Sequence, residues 1–283
     1  MRALALALVA LCACKTAPEM REVADPTLPT QDFQIVTQSL TDCAVKFSGT
    51  VEGASEDATV EKAVYEFVVD QQVLASKEKV LNLPLPANGK VDFSVDENLT
   101  YVKDEAELKA MNTRGGSLLM ALRGHLVIKV KSPAQADAPA ATRSVDVDFA
   151  RSRDVRTPRL PHLKLVDWEG GRFSESEVQV TYHLGVVNPN PFPVSLQGID
   201  WAITLAGKEV NKGTIGAGEK VVGGSTGVFD VTATLNEETH GPDAAKKLIK
   251  GLVVPYVLTG TLRTTLFSEP LEAKGDVKLN VSK

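Results

Sequence analysis

Gly223-Gly224-Ser225-Thr226-Gly227 satisfies the G-x-S-x-G form in which a serine hydroxyl attacks an acyl carbon. That chemistry requires a buried parallel strand turning sharply into a helix, so that the serine stands exposed beside backbone donors. Here glycine-rich chain precedes the serine and Val228 to Leu235 alternates as a strand, so no nucleophile elbow is expected. The four histidines, His125, His162, His183 and His240, share no ligand spacing and have no cysteine partner in the mature chain, which argues against zinc. His125 and His183 fall on strand faces opposite the apolar residues, where exposed or partly satisfied imidazoles are expected. No glycine-rich phosphate loop ending in Lys-Ser or Lys-Thr occurs. The residue types therefore predict no catalytic residue, no metal ligand and no cofactor.

The cysteines point to different chemistry. Ala3 to Leu11 is wholly apolar behind Arg2, too short to cross a bilayer permanently, and reads as an export leader over residues 1–13. Leu11-Cys12-Ala13-Cys14 looks like a bacterial lipobox, with leucine three residues before the modified cysteine and a small residue just before it. Cys14 is thus the expected lipidation site. Cys12, preceded by bulky Leu11, is the poorer candidate, and an ordinary secretory leader cut nearby is the other reading. Lys15 stands where the enterobacterial inner-membrane retention signal would place aspartate, which favours the periplasmic face of the outer membrane. Residues 14–31, with Pro18, Pro26 and Pro29 and few large apolar side chains, read as a flexible tether that could reach on the order of 50 Å from the lipid. Cys43 is left alone on the apolar face of an alternating strand, and burial is expected for it.

Composition bounds the rest. The chain has 31 Lys+Arg against 36 Asp+Glu, and loss of the leader removes only Arg2, leaving a mature charge of −6. That balance argues against nucleic acid and against an anionic bilayer as main partners. A hydrophobic content of 43% and this length suit two globular domains rather than a disordered chain.

The elements that organise the later half surround Asn188-Pro189-Asn190-Pro191-Phe192-Pro193-Val194. Three prolines at alternate positions cannot sit inside a hydrogen-bonded strand, so this stretch must be a sheet edge or a crossing between sheets. The asparagines are suited to cap the turn through their side chains, and Phe192 to plug the end of an apolar layer. Before it, Val178, Val180, Tyr182, Leu184 and Val186 alternate with polar or small residues; after it, Trp201, Ile203 and Leu205 do the same. Strand, proline-rich crossing and strand together resemble the late embryogenesis abundant (LEA) type 2 family, also called the WHy domain (water stress and hypersensitive response). The resemblance runs from about Leu163 to Val281 and rests mainly on residues 188–194. It implies a β-sandwich and a role in water stress.

Compared at a shift of 136, the halves agree in three groups: Tyr65, Phe67 and Val69 with Trp201, Ile203 and Leu205; Phe93, Val95 and Leu99 with Phe229, Val231 and Leu235; Leu122, Gly124 and Leu126 with Leu258, Gly260 and Leu262. Between the last two groups each half has a helical segment, Asp104 to Asn112 and Pro242 to Lys250. The expectation is an all-β chain of two tandem fibronectin- or immunoglobulin-like sandwiches, each with one short helix: residues 32–150, a connector at 151–162 with four arginines, and residues 163–283. The first copy lacks the Asn-Pro stretch. Gly124 and Gly260, in the middle of long strands, suggest a bend or bulge. Gly216, Gly218, Gly223, Gly224 and Gly227 suggest loops around Lys220.

The function these readings imply is non-enzymatic. The protein is expected in the cell envelope, held to a membrane by lipid on Cys14, protecting proteins or the envelope during desiccation or water stress. The alternative is an envelope assembly or binding module that holds a protein partner through sheet edges or glycine-rich loops.

Overall fold

The computed structural model of the chain describes residues 24–132, 141–172, 174, 177–240 and 242–278. The leader, Cys14 and most of the expected tether lie outside these residues. The first half consists of β1 (Thr27–Gln38), β2 (Asp42–Glu52), β3 (Ala58–Val69), β4 (Gln72–Leu85), β5 (Lys90–Thr100), α1 (Glu105–Arg114), β6 (Ser117–Ser132) and β7 (Ala141–Arg156). The second consists of β8 (His162–Arg172), β9 (Glu177–Val187), β10 (Val194–Ser195), β11 (Gly198–Leu205), β12 (Lys208–Ile215), β13 (Lys220–Val221), β14 (Thr226–Asn236), α2 (Glu237–His240), α3 (Pro242–Ile249), β15 (Val254–Arg263) and β16 (Ser268–Val277). The all-β class expected from the alternating pattern is what the chain adopts.

Every strand pairing is antiparallel. The first half forms the sheets β1-β2-β5 and β4-β3-β6-β7. The second forms β14-β9-β8 and β12-β11-β15-β16, with β10 and β13 as a separate ribbon. Period-two alternation sends one side of each central strand inward: Cys43, Val45, Phe47 and Val51 on β2 are buried, as are Val178, Val180, Tyr182, Leu184 and Val186 on β9. Rings meet across the layers. Phe47 of β2 stacks on Phe149 of β7 with centroids 4.6 Å apart, and Tyr182 of β9 lies 5.2 Å from Tyr256 of β15.

Two helices lie where the sequence places them, although α1 runs past Asn112 to Arg114, α3 stops at Ile249, and α2 is a further short turn not expected from the sequence. Asp104 caps α1 by accepting from the Glu107 N–H at 2.9 Å, and Gly115, at φ 60°, ends it. Gly251, at φ 69°, ends α3, where the Leu252 N–H reaches back to the Lys247 carbonyl at 2.8 Å.

Four expectations need correction. The tether drawn over 14–31 ends earlier, because Thr27 to Gln31 already belong to β1, paired with Glu52 to Gly49 of β2. The connector drawn over 151–162 shrinks to 157–161: Arg151 to Arg156 continue β7 along β6, and His162 opens β8. Arginines do not end a strand whose outer edge faces water, and Val155 restores the inward side. Gly124 and Gly260 make no bulge, for the ladder register runs unbroken through both. At Gly260 a Cβ would stand 2.9 Å from Leu163 Cδ2, so the missing side chain makes room for a core neighbour instead. The loop expected around Lys220 also contains the short pairing of Lys220 and Val221 with Ser195 and Val194.

Candidate functional site

Between the end of β9 and the start of β11 the chain passes from the three-stranded to the four-stranded sheet, and Asn188 to Pro193 is that passage. Three residues without N–H groups leave their neighbours' carbonyls in need of donors, and side chains supply them. Asn188, fully buried, donates through Nδ2 to the Phe192 carbonyl at 2.8 Å and the Val221 carbonyl at 3.0 Å. Its Oδ1 accepts from the Asn190 N–H at 3.1 Å and from Asn190 Nδ2 at 2.9 Å. Its own N–H donates to Ser225 O at 2.9 Å. Phe192, Val194 and Leu196 are buried beneath this network. Opposite Pro191 the partner chain segment has Gly223, where a Cβ would lie 2.5 Å from the Pro191 carbonyl carbon. The close approach explains that glycine.

Asn190 reaches further. Its Oδ1 accepts from the Arg159 N–H at 2.7 Å and its Nδ2 donates to the Arg159 carbonyl at 2.8 Å, a two-bond clasp on the segment joining the halves. The same segment is fastened to the first half: Thr157 N–H donates to Gly116 O at 3.1 Å, Thr157 Oγ1 to Gly115 O at 3.1 Å, and Leu160 N–H to Asn112 Oδ1 at 3.0 Å. Asn112, Thr157 and the partner role of Arg159 carry no local sequence signal, since each depends on a neighbour far away in the chain. Beside the joint lies an open groove of about 840 Å³ lined from both halves, by β1, the end of β7 and Pro191 to Pro193.

The other candidates stay apart. Ser225 donates through its hydroxyl to Val222 O at 2.7 Å and directly precedes β14, a strand rather than a helix. His183 Nδ1 lies 2.6 Å from Asp230 Oδ1 across β9 and β14, and Asp167 on β8 stands 3.9 Å from Nε2. The bond to Asp230 is the main cause holding its pKa above the ordinary histidine value; desolvation acts the other way, and the charges of Asp230, Asp167 and Glu169 add to the rise. Cys43 is buried, and burial, helped by Asp42, pushes its thiol up to about 11. Among the described residues no group of three or more His, Cys, Asp or Glu is placed to hold a metal ion, and no helix is long and apolar enough to cross a membrane.

Residues 183–275 match the family model described as late embryogenesis abundant protein, LEA type 2. No curated protein matches the chain. Among solved structures, a protein from Archaeoglobus fulgidus is 14% identical with a TM-score of 0.31, covering 43% of this chain and all of its own. Red sea bream transglutaminase is 13% identical with a TM-score of 0.27, covering 93% of this chain and 32% of its own. Bacteroides uniformis beta-glucuronidase is 10% identical with a TM-score of 0.29, covering 88% and 32%. These likenesses are too slight to bear on fold or function. The matched stretch takes in the end of β9, the whole Asn-Pro crossing and the strands that follow it to β16, and over this stretch the second half is similar to the LEA type 2 family.

Proposed function

We propose that this is a non-enzymatic protein of the cell envelope, anchored by lipid on Cys14, that protects neighbouring proteins or the envelope when water is lost. The family match, which associates the chain with water stress in general, carries the reading. The state of the signature residues supports it: the polar atoms of Asn188 and Asn190 are spent on internal carbonyls and N–H groups, as a structural motif requires. Two copies of one module are part of the proposal, supported by the same order of strands in the two pairs of sheets. An acidic sandwich held at high local concentration beside a membrane would keep dehydrating neighbours apart by excluded volume and charge.

Drying a labile dehydrogenase with the protein, and separately with an inert protein of equal size and charge, tests the function. Greater recovery of activity with this protein supports protection; equal recovery removes it. Mass spectrometry of the mature amino terminus tests the anchor, for which diacylglyceryl-modified Cys14 is the expected species. A second reading, a module that binds a protein partner, draws its support from the groove at the joint.

A further inference from the structure

The groove beside the joint combines features that single it out from the rest of the surface. Its floor is apolar: Ile35, Val36 and Phe192 line it together with Pro193, and Val36 is 58% exposed. Its wall carries Arg153 and Arg156, with one carboxylate, Asp154, between them. Four other described arginines have carboxylate partners: Arg114 pairs with Asp70, Arg123 with Glu66, Arg143 with Asp25 and Arg263 with Asp200. Arg151, Arg153, Arg156 and Arg159 have no carboxylate partner among the described residues. Four unpaired guanidinium groups within nine residues, on a chain of net charge −5, form a local field opposite in sign to the molecule.

The strands beside the groove narrow the chemistry of what fits. β1 and β7 are both sheet edges, each hydrogen-bonded to a neighbour strand on one side only. In β7 the inward parity that carries Val145, Val147 and Phe149 continues through Arg151 and Arg153 to Val155, so arginines stand where an inner layer would place apolar residues. At β1 the register shifts between Ile35 and Thr37, leaving Val36 out of the pairing. Two copies of β7 meeting edge to edge would oppose their own arginines, which disfavours a second copy as occupant. Nucleic acid is disfavoured by the net negative charge. An extended polypeptide with alternating apolar and acidic residues satisfies all three features at once: apolar side chains on Val36 and the exposed rings of Pro191 and Pro193, carboxylates on the arginines, and main chain along a strand edge whose Arg156 carbonyl is already taken by Gln38 Nε2 at 3.0 Å.

We propose that the groove between β1, the end of β7 and Pro191 to Pro193 is a docking surface for an extended, acidic and apolar segment of a partner protein. The site needs both halves, since Pro191 and Pro193 come from one and the arginines from the other. It stands whether or not the protein protects against drying.

The test uses the full chain and a fluorescein-labelled octapeptide of alternating glutamate and valine, with the lysine-valine octapeptide as comparison. The glutamate peptide is expected to bind saturably, and about tenfold more weakly to Arg153→Glu/Arg156→Glu, which should in turn accept the lysine peptide. Val36→Asp should weaken the glutamate peptide as well. Because the arginines are exposed and unpaired, folding is not at stake; an unchanged melt of Arg153→Gln/Arg156→Gln, which should also lose the peptide, checks this. Absence of saturable binding, or binding indifferent to both double variants, overturns the proposal. So does arginine-dependent binding to phosphatidylglycerol vesicles without peptide binding, which would make the occupant a membrane. Arginine-dependent self-association without peptide binding would make it a second copy, and would likewise overturn it.

Discussion

Asn188 is the residue at which chain chemistry and fold meet most directly. Its side-chain amide reaches the Phe192 carbonyl within the crossing and the Val221 carbonyl of β13, and its oxygen takes two donors from Asn190. Removing the amide leaves buried acceptors without partners, so Asn188→Ala should cost about 2–4 kcal/mol in urea unfolding of the second half. Asn188→Asp should lose a comparable amount, since a carboxylate accepts but cannot donate to Phe192 and Val221. A loss below the error of the measurement in both would show that water replaces the side chain. His183 supports a pH prediction. Its folded pKa is raised above the ordinary value, mainly by Asp230, so the bond's contribution is fully present below the ordinary histidine pKa and is lost as pH rises through the raised one. Asp230→Asn should bring the NMR titration of His183 back toward the ordinary value; an unmoved titration would remove Asp230 as the cause. The single-residue features that depend on alternation, such as buried Cys43, were legible in the sequence. The bonds of Asn190 to Arg159 were not, because nothing in thirty residues of intervening chain marks which backbone atoms will return to it.

Among the elements, the strands with strong alternation were plain; the two-residue β10 and β13 were hidden, as were four longer strands, β1, β4, β8 and β12. Those four longer strands lie at sheet edges, where one side of the strand needs less apolar cover and charges are favoured. In β4, Ser76 to Lys79 are charged or polar and mostly exposed, while in β1 only Leu28 and Phe33 are buried. The connector was overdrawn for the same reason, its arginines being edge residues of β7. The crossing, by contrast, was legible because three prolines exclude pairing from any context. Its fit against the chain opposite makes a test at this scale. A Cβ on Gly223 would lie 2.6 Å from Pro191 O and 2.7 Å from Phe192 N, backbone atoms that cannot swing aside. Gly223→Ala should therefore destabilise the second half by about 1–3 kcal/mol, with the first half unfolding as before. Thermal unfolding that matches the parent would show that the crossing relaxes freely.

For the whole molecule, the crossing does two things: it closes one sandwich and grips the five-residue segment that leads to the other. Thr157 and Leu160 are bonded to the first half and Arg159 to the second, so Thr157 to Pro161 is braced from both sides. That bracing gives a groove lined from both halves a fixed shape, which a flexible linker would not. Hydrogen exchange read by NMR at the Arg159 and Leu160 amides tests this most directly, because both belong to a stretch outside any strand or helix. Both amides should exchange slowly, and Asn190→Ala should release Arg159 to rapid exchange while the amides of β9 and β14 stay protected. Rapid exchange at both amides in the unaltered protein would contradict a joint held by the Asn-Pro crossing.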